Sequence, residues 1–273
     1  MKKKILLFFV ISIILITSLA FAGCSSEAPF QKQISQYSPW KQKTGTETLI
    51  YSVTNSQDET MTGTYTTTIK KCTKESIDIP TFTITDFTGY YLTSELVING
   101  EVVQKAYVAC TMNFEPKYSY TEYVNENKTL KAQYETKKYN YTVIEDGVET
   151  SDSISHKAYD SQAYFDNNQI YMILRTMAKA SKTALSIYIP QVSLGSLDTV
   201  SLTVSQQTTT ETVLGNEMEC FNATINTTRT FPGKFDELNC KIAKNTIANI
   251  VDYAIVYITE GNISYNLISA SLN

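Results

Sequence analysis

From Thr48 onward the chain carries the short apolar and polar alternation of strands. Leu49-Ile50-Tyr51-Ser52-Val53 predicts a first strand, closed by the polar turn Asn55-Ser56-Gln57-Asp58. Thr60 to Cys72 predicts a long second strand, with Met61, Gly63, Tyr65, Thr67 and Ile69 on one side. A third is expected over Ile77–Phe87. Tyr90–Ile98 and Glu101–Met112 flank Asn99-Gly100, a pair suited to the two positive-φ positions of a hairpin turn. Asp146-Gly147 repeats the device between Tyr139–Glu145 and Val148–Ser153, and Glu260-Gly261 does so between Ile250–Thr259 and Ile263–Ser269. Further strands are expected at Ala184–Pro190, Thr199–Gln206, Thr208–Leu214 and Glu217–Thr228.

One segment breaks the period. After Asp166 or Asn167, either of which can cap a helix, Ile170, Ile173, Leu174 and Met177 fall at i, i+3, i+4 and i+7. These four form a candidate apolar lid or plug. Strand follows strand without the regular helices that a parallel sheet needs. The expected fold is therefore mainly β: a large, antiparallel, curved meander, an open or half barrel, with one main helix.

The start of the chain has a different pattern. Lys2, Lys3 and Lys4 precede an apolar run that ends in Ala22-Gly23-Cys24-Ser25. A positive end, an apolar stretch and small residues at the cut make an export leader. No basic stop-transfer cluster follows it. Two cuts fit. One removes residues 1–23 and leaves Cys24 to carry a diacylglycerol, with Phe21 standing where an aliphatic residue is usual. The other uses Ala20-Phe21-Ala22 and leaves Cys24 a bare thiol. The first is favoured, and it predicts a lipid-anchored (palmitate-type) protein on the outer face of the cell membrane. Each buried methylene of such an anchor contributes about 0.8 kcal/mol. Residues 24–45, polar and without a sustained period, are expected to be a tether, interrupted by Trp40, which is costly there unless it packs on the domain or sits at the lipid interface. Residues 46–273 are expected to form a single β-rich domain.

Composition supports the β reading: 19 Tyr, 11 Phe and one Trp stand among abundant Thr. The net charge of −4 becomes more acidic once the three leader lysines leave, which argues against a nucleic-acid partner. With Cys24 acylated, Cys72, Cys110, Cys220 and Cys240 remain as possible disulfides. The local pairings Cys72–Cys110 and Cys220–Cys240 are preferred, and four buried reduced thiols are the alternative. No C-x-x-C occurs and the sole histidine is His156, so no metal site and no cofactor are expected.

Chemistry is scarce. Asp152, Ser153 and His156 are sequence neighbours, whereas a triad brings its members from different elements. Ser181-Lys182 more simply ends the helix. No nucleophile elbow, phosphate loop, dinucleotide fingerprint or EF-hand loop occurs. The chain is expected to be no enzyme. The tyrosines Tyr118, Tyr120, Tyr123, Tyr134, Tyr139 and Tyr141 offer either an aromatic binding surface or cross-strand ladders, and the ladders are favoured.

The back half carries a resemblance. Asp166 through Arg175, Val213-Leu214-Gly215 with Glu219 through Ala223, and Ile263 through Ser269 resemble segments of exported bacterial lipoproteins of unknown function. Their fold looks related to the open, half-wrapped barrels of lipoprotein carriers. The resemblance implies a concave apolar sheet face able to hold acyl chains, and no catalytic residue. The expected function is binding of a lipid or other apolar ligand in that curve. The alternative is an envelope module that grips cell wall or a protein partner through Tyr- and Thr-rich faces.

Overall fold

A computed structural model describes residues 30–155, 163–191, 196–227, 237–248 and 250–273. Cys24, the leader and His156 lie outside the described residues. A short helix, α1 (Phe30–Ser35), precedes eight strands: β1 (Thr46–Asn55), β2 (Thr62–Ile79), β3 (Phe82–Ile98), β4 (Glu101–Cys110), β5 (Pro116–Tyr123), β6 (Lys128–Tyr134), β7 (Lys138–Glu145) and β8 (Val148–Ser155). Helix α2 (Ile170–Lys179) follows. Six more strands complete the chain: β9 (Ala184–Gln191), β10 (Ser196–Val213), β11 (Asn216–Thr227), β12 (Glu237–Ala243), β13 (Ile255–Glu260) and β14 (Ile263–Leu272).

All strands belong to one 14-stranded antiparallel sheet, ordered β8 back to β1, then β14 back to β9. Two meanders are thus joined where the first strand meets the last, Asn55 opposite Ile263 and Glu47 opposite Leu272. The sheet curls into a nearly closed barrel whose edges are β8 and β9. Side chains fill the seam instead of a backbone ladder. Tyr134, Tyr139 and Tyr141 pack with Ala132 and reach Leu197 of β10, and the Tyr139 hydroxyl donates to the Ser196 carbonyl at 3.4 Å. The chain entering α2 covers the β9 edge: Phe165 N–H donates to the Tyr188 carbonyl and Tyr188 N–H to that of Ala163. Tyr134, Tyr139 and Tyr141 are therefore buried ladder residues. Tyr118 and Tyr120 lie on the outer face, beneath the β2–β3 hairpin, where the Phe82 and Tyr118 rings stand 5.1 Å apart.

Several expectations are corrected. Ile77–Phe87 is not one strand. The chain reverses at Pro80-Thr81, where Pro presets the first turn dihedral and Thr81 takes φ 84°, so β2 runs on to Ile79 and β3 starts at Phe82. Thr199–Gln206 and Thr208–Leu214 are one strand with an irregularity between Val204 and Thr208. β13 starts at Ile255 because the chain folds back just before it, with Ile247 bridged to Val251. From residue 30 the tether expectation also fails. Ile34 and Trp40 are 4% and 1% exposed and pack into the main apolar core. An indole ring and an isoleucine together bury enough apolar surface to hold such a segment down.

The preferred disulfides are not formed, for a reason of parity. Cys72 lies opposite Gly89 while Cys110 lies opposite Tyr90, one residue on, so the two thiols point to opposite faces of the sheet. Cys220 pairs with Ala243 and Cys240 with Ala223, three residues off, with the same result. All four are buried free thiols. Burial pushes Cys72 and Cys220 up to about 11, and Cys110 and Cys240 further still. The folded chain should therefore resist thiol alkylation at pH 8 and label these four cysteines once denatured. The sign for stability follows. Protonated thiols are favoured in the folded state, so their contribution is complete below the ordinary thiol value near 9 and is lost as pH climbs through about 11. A urea midpoint that stayed flat from pH 8 to 11 would contradict this.

Candidate functional site

The interior is organised by rows of residues that run across the strands. One row consists of Glu47, Ile69, Leu92 and Val108, and a second of Tyr51, Tyr65, Leu96 and Gln104. Between them lies a row of small side chains, Thr67, Ser94, Ala106 and Thr121, from four neighbouring strands. Small residues between bulky ones leave a trough in the inner wall. Helix α2 crosses above it. Asn168, Tyr171, Met172 and Arg175 recur at helical spacing and face the trough. The space left between them is a partly open cavity of about 40 Å³. Its walls are mostly apolar, with hydroxyls from Thr67, Ser94 and the tyrosines.

The predicted lid residues sit elsewhere. Ile170, Ile173, Leu174 and Met177 are 7% exposed or less, but they lie on the other side of the helix and none lines the cavity. Because α2 is buried nearly all round, it is a plug within the barrel and not a cover over it.

Both ends of the plug are anchored. At its start, Asp166 accepts from the Asn168 N–H at 2.8 Å and donates its own N–H to the Gln169 side chain at 2.8 Å, a capping box. The Tyr134 hydroxyl donates to the same carboxylate at 2.6 Å, and Gln169 donates to the Phe114 carbonyl. At its end, Ala180, Ser181 and Lys182 turn the chain out of the helix, Ser181 at φ 53°.

Arg175 carries the second anchor. Its guanidinium donates twice to Glu47, at 2.5 and 3.2 Å, and to the carbonyls of Asp252 and Tyr253 at 2.8 and 2.9 Å. Its carbon lies 4.5 Å from the Trp40 ring centroid. Arg175 and Glu47 are each 2% exposed. One buried, fully engaged ion pair thus ties the plug to β1, to the 250–253 turn and to the N-terminal segment. Sequence reading passed over both members.

Burial raises the hydroxyl pKa of Tyr51, Tyr65 and Tyr171 above the usual tyrosine range, so the cavity's phenols are neutral. The Tyr51 hydroxyl donates to the Ile255 carbonyl at 2.9 Å. Among the described residues no group of His, Cys, Asp or Glu is arranged to hold a metal ion, and no helix is long and apolar enough to cross a membrane.

No family model and no curated protein matches the chain. A solved structure does. The beta-barrel-like protein of domain of unknown function DUF1849 from Brucella abortus superposes with a TM-score of 0.53 at 12% identity, covering 85% of this chain and 99% of that one. The likeness is one of fold. A Parabacteroides distasonis protein provisionally assigned as a lipoprotein aligns over 84% of this chain and 96% of its own at 10% identity, with a TM-score of 0.26, too low to bear on the fold.

Proposed function

We propose that this is an exported, Cys24-anchored, non-enzymatic binding protein whose barrel holds one compact, largely apolar ligand above α2. One observation carries the reading: the row Thr67–Ser94–Ala106 leaves a trough facing a helix that is pinned at both ends. A core selected only for stability fills such space, because each methyl-sized void weakens packing. Here the void is lined by largely apolar walls with a few hydroxyls to orient a guest. The anchor rests on the leader pattern, and the carrier-like resemblance suggests an apolar guest. The small volume favours a compact group over a long acyl chain.

Native mass spectrometry of the full chain tests it, with Ala106→Leu as the matched variant, since a leucine there fills the trough from its floor. The natural protein is expected to carry a non-covalent adduct that the variant lacks. A clean unliganded mass for both, or the same adduct on both, would remove the proposal.

A further inference from the structure

Strand direction assigns each connection of the antiparallel sheet to one of two ends. The end where β1 begins also holds residues 30–45, 111–115, 135–137, 180–183, 214–215 and 244–254. Hydrogen bonds fasten the N-terminal segment there. Lys43 Nζ donates to the Ile250 carbonyl at 2.6 Å, Lys71 Nζ to that of Lys41 at 2.7 Å, and Lys179 Nζ to that of Ser38 at 3.4 Å. The opposite end holds residues 56–61, 99–100, 124–127, 146–147 and 261–262.

The two ends differ in charge. Among these described connecting residues, the first end has Lys32, Lys41, Lys43, Lys137, Lys182 and Lys244 against Glu115, Glu135 and Asp252. The second has Asp58, Glu59, Glu126 and Asp146 and no lysine. Lys32, Lys41 and Lys137 are exposed and form no ion pair among the described residues. Tyr37 and Leu214, on the same segments, are 50% and 38% exposed. The opposite end exposes Val124, but beside carboxylates that an anionic surface repels.

Chain length limits how far the first end can stand from a membrane. Phe30 lies six residues after Cys24, at most about 20 Å of extended backbone. The ten residues of β1 alone span about 33 Å. An acylated Cys24 therefore keeps the lysine-bearing end close to the lipid, and charge decides whether the acidic end is turned away. Each lysine near an anionic surface strengthens attraction about fivefold. Tyrosine suits the headgroup layer, with an apolar ring and a polar tip.

We propose that the barrel docks end-on against an anionic lipid surface, with Lys32, Lys41 and Lys137 on headgroup phosphates, Tyr37 and Leu214 at the interface, and the acidic turns facing away. This rests on the Cys24-anchor reading and goes beyond it, since an anchor alone leaves the domain free to tumble.

The test uses the acylated full chain on vesicles of phosphatidylcholine with and without phosphatidylglycerol. A fluorophore is attached at Gln36→Cys or at Gln57→Cys, exposed positions at the two ends, while Cys72, Cys110, Cys220 and Cys240 are buried. On the anionic vesicles a headgroup-bound quencher is expected to dim the probe at position 36 and spare the one at 57. Lys32→Gln/Lys41→Gln/Lys137→Gln should lower the ratio of docked to free domain roughly 10- to 100-fold, and added salt or omission of phosphatidylglycerol should lower it too. Equal quenching at the two positions in a chain that floats with the vesicles, or a ratio indifferent to the triple variant and to salt, would overturn the docking and leave the anchor standing. A chain that does not float with the vesicles would overturn both.

Discussion

Arg175→Ala is expected to destabilise the chain by about 3–5 kcal/mol, because it strands the Glu47 carboxylate in a 2% exposed site. Two backbone carbonyls, those of Asp252 and Tyr253, lose their donors as well. The urea midpoint should fall sharply at nearly constant slope. The double variant Glu47→Gln/Arg175→Met removes both charges and should recover much of the loss, since replacing a whole buried pair costs far less than halving it. If the single and double variants were equally unstable, the pair would be a packing feature and not an electrostatic one. Lys43, 3.6 Å from both Glu47 and Asp252, gives the stranded carboxylate only a partly exposed and weak substitute.

Trp40→Ala should be of similar size, about 3–5 kcal/mol, the usual cost of removing a buried indole. Trp40 meets Tyr90 edge-on with centroids 6.4 Å apart and carries Arg175 on its face, so its loss loosens residues 30–43 as well as the plug. Limited proteolysis should then cut ahead of β1 in the variant and spare the natural chain. An unchanged midpoint together with an unchanged digestion pattern would mean that this segment is a tether after all.

Much of the fold was legible because it is local. Asn99-Gly100 and Asp146-Gly147 take the positive φ values that their chemistry allows, 50° and 85°, and 51° and 79°. Leu214-Gly215 does the same at 49° and 79° without the Asn or Asp that marks such turns, so a hairpin signature was present only in part. The stripe on α2 was visible from its period. Its opposite face, which lines the cavity, was not, because Asn168, Tyr171, Met172 and Arg175 do not form a purely apolar pattern. The cavity itself depends on Thr67, Ser94 and Ala106 falling in one transverse row beside Leu49. That row is set by the register of four strands, and register cannot be read from composition or period. The Glu47–Arg175 pair joins residues 128 apart in sequence. Its one local trace was a lone charge within an otherwise apolar helical stretch. The thiol pairings failed on the same ground, since a shift of one residue in register decides which face a side chain takes.

A crystal structure of the full chain purified from its native host, without solvent stripping, tests the central claim most directly. Non-protein density is expected between the Tyr171 ring and the Thr67–Ser94–Ala106 row, with α2 still held by Glu47 and Asp166. Tyr171 or Met172 packed down onto those three residues, with no space between, would contradict a binding cavity.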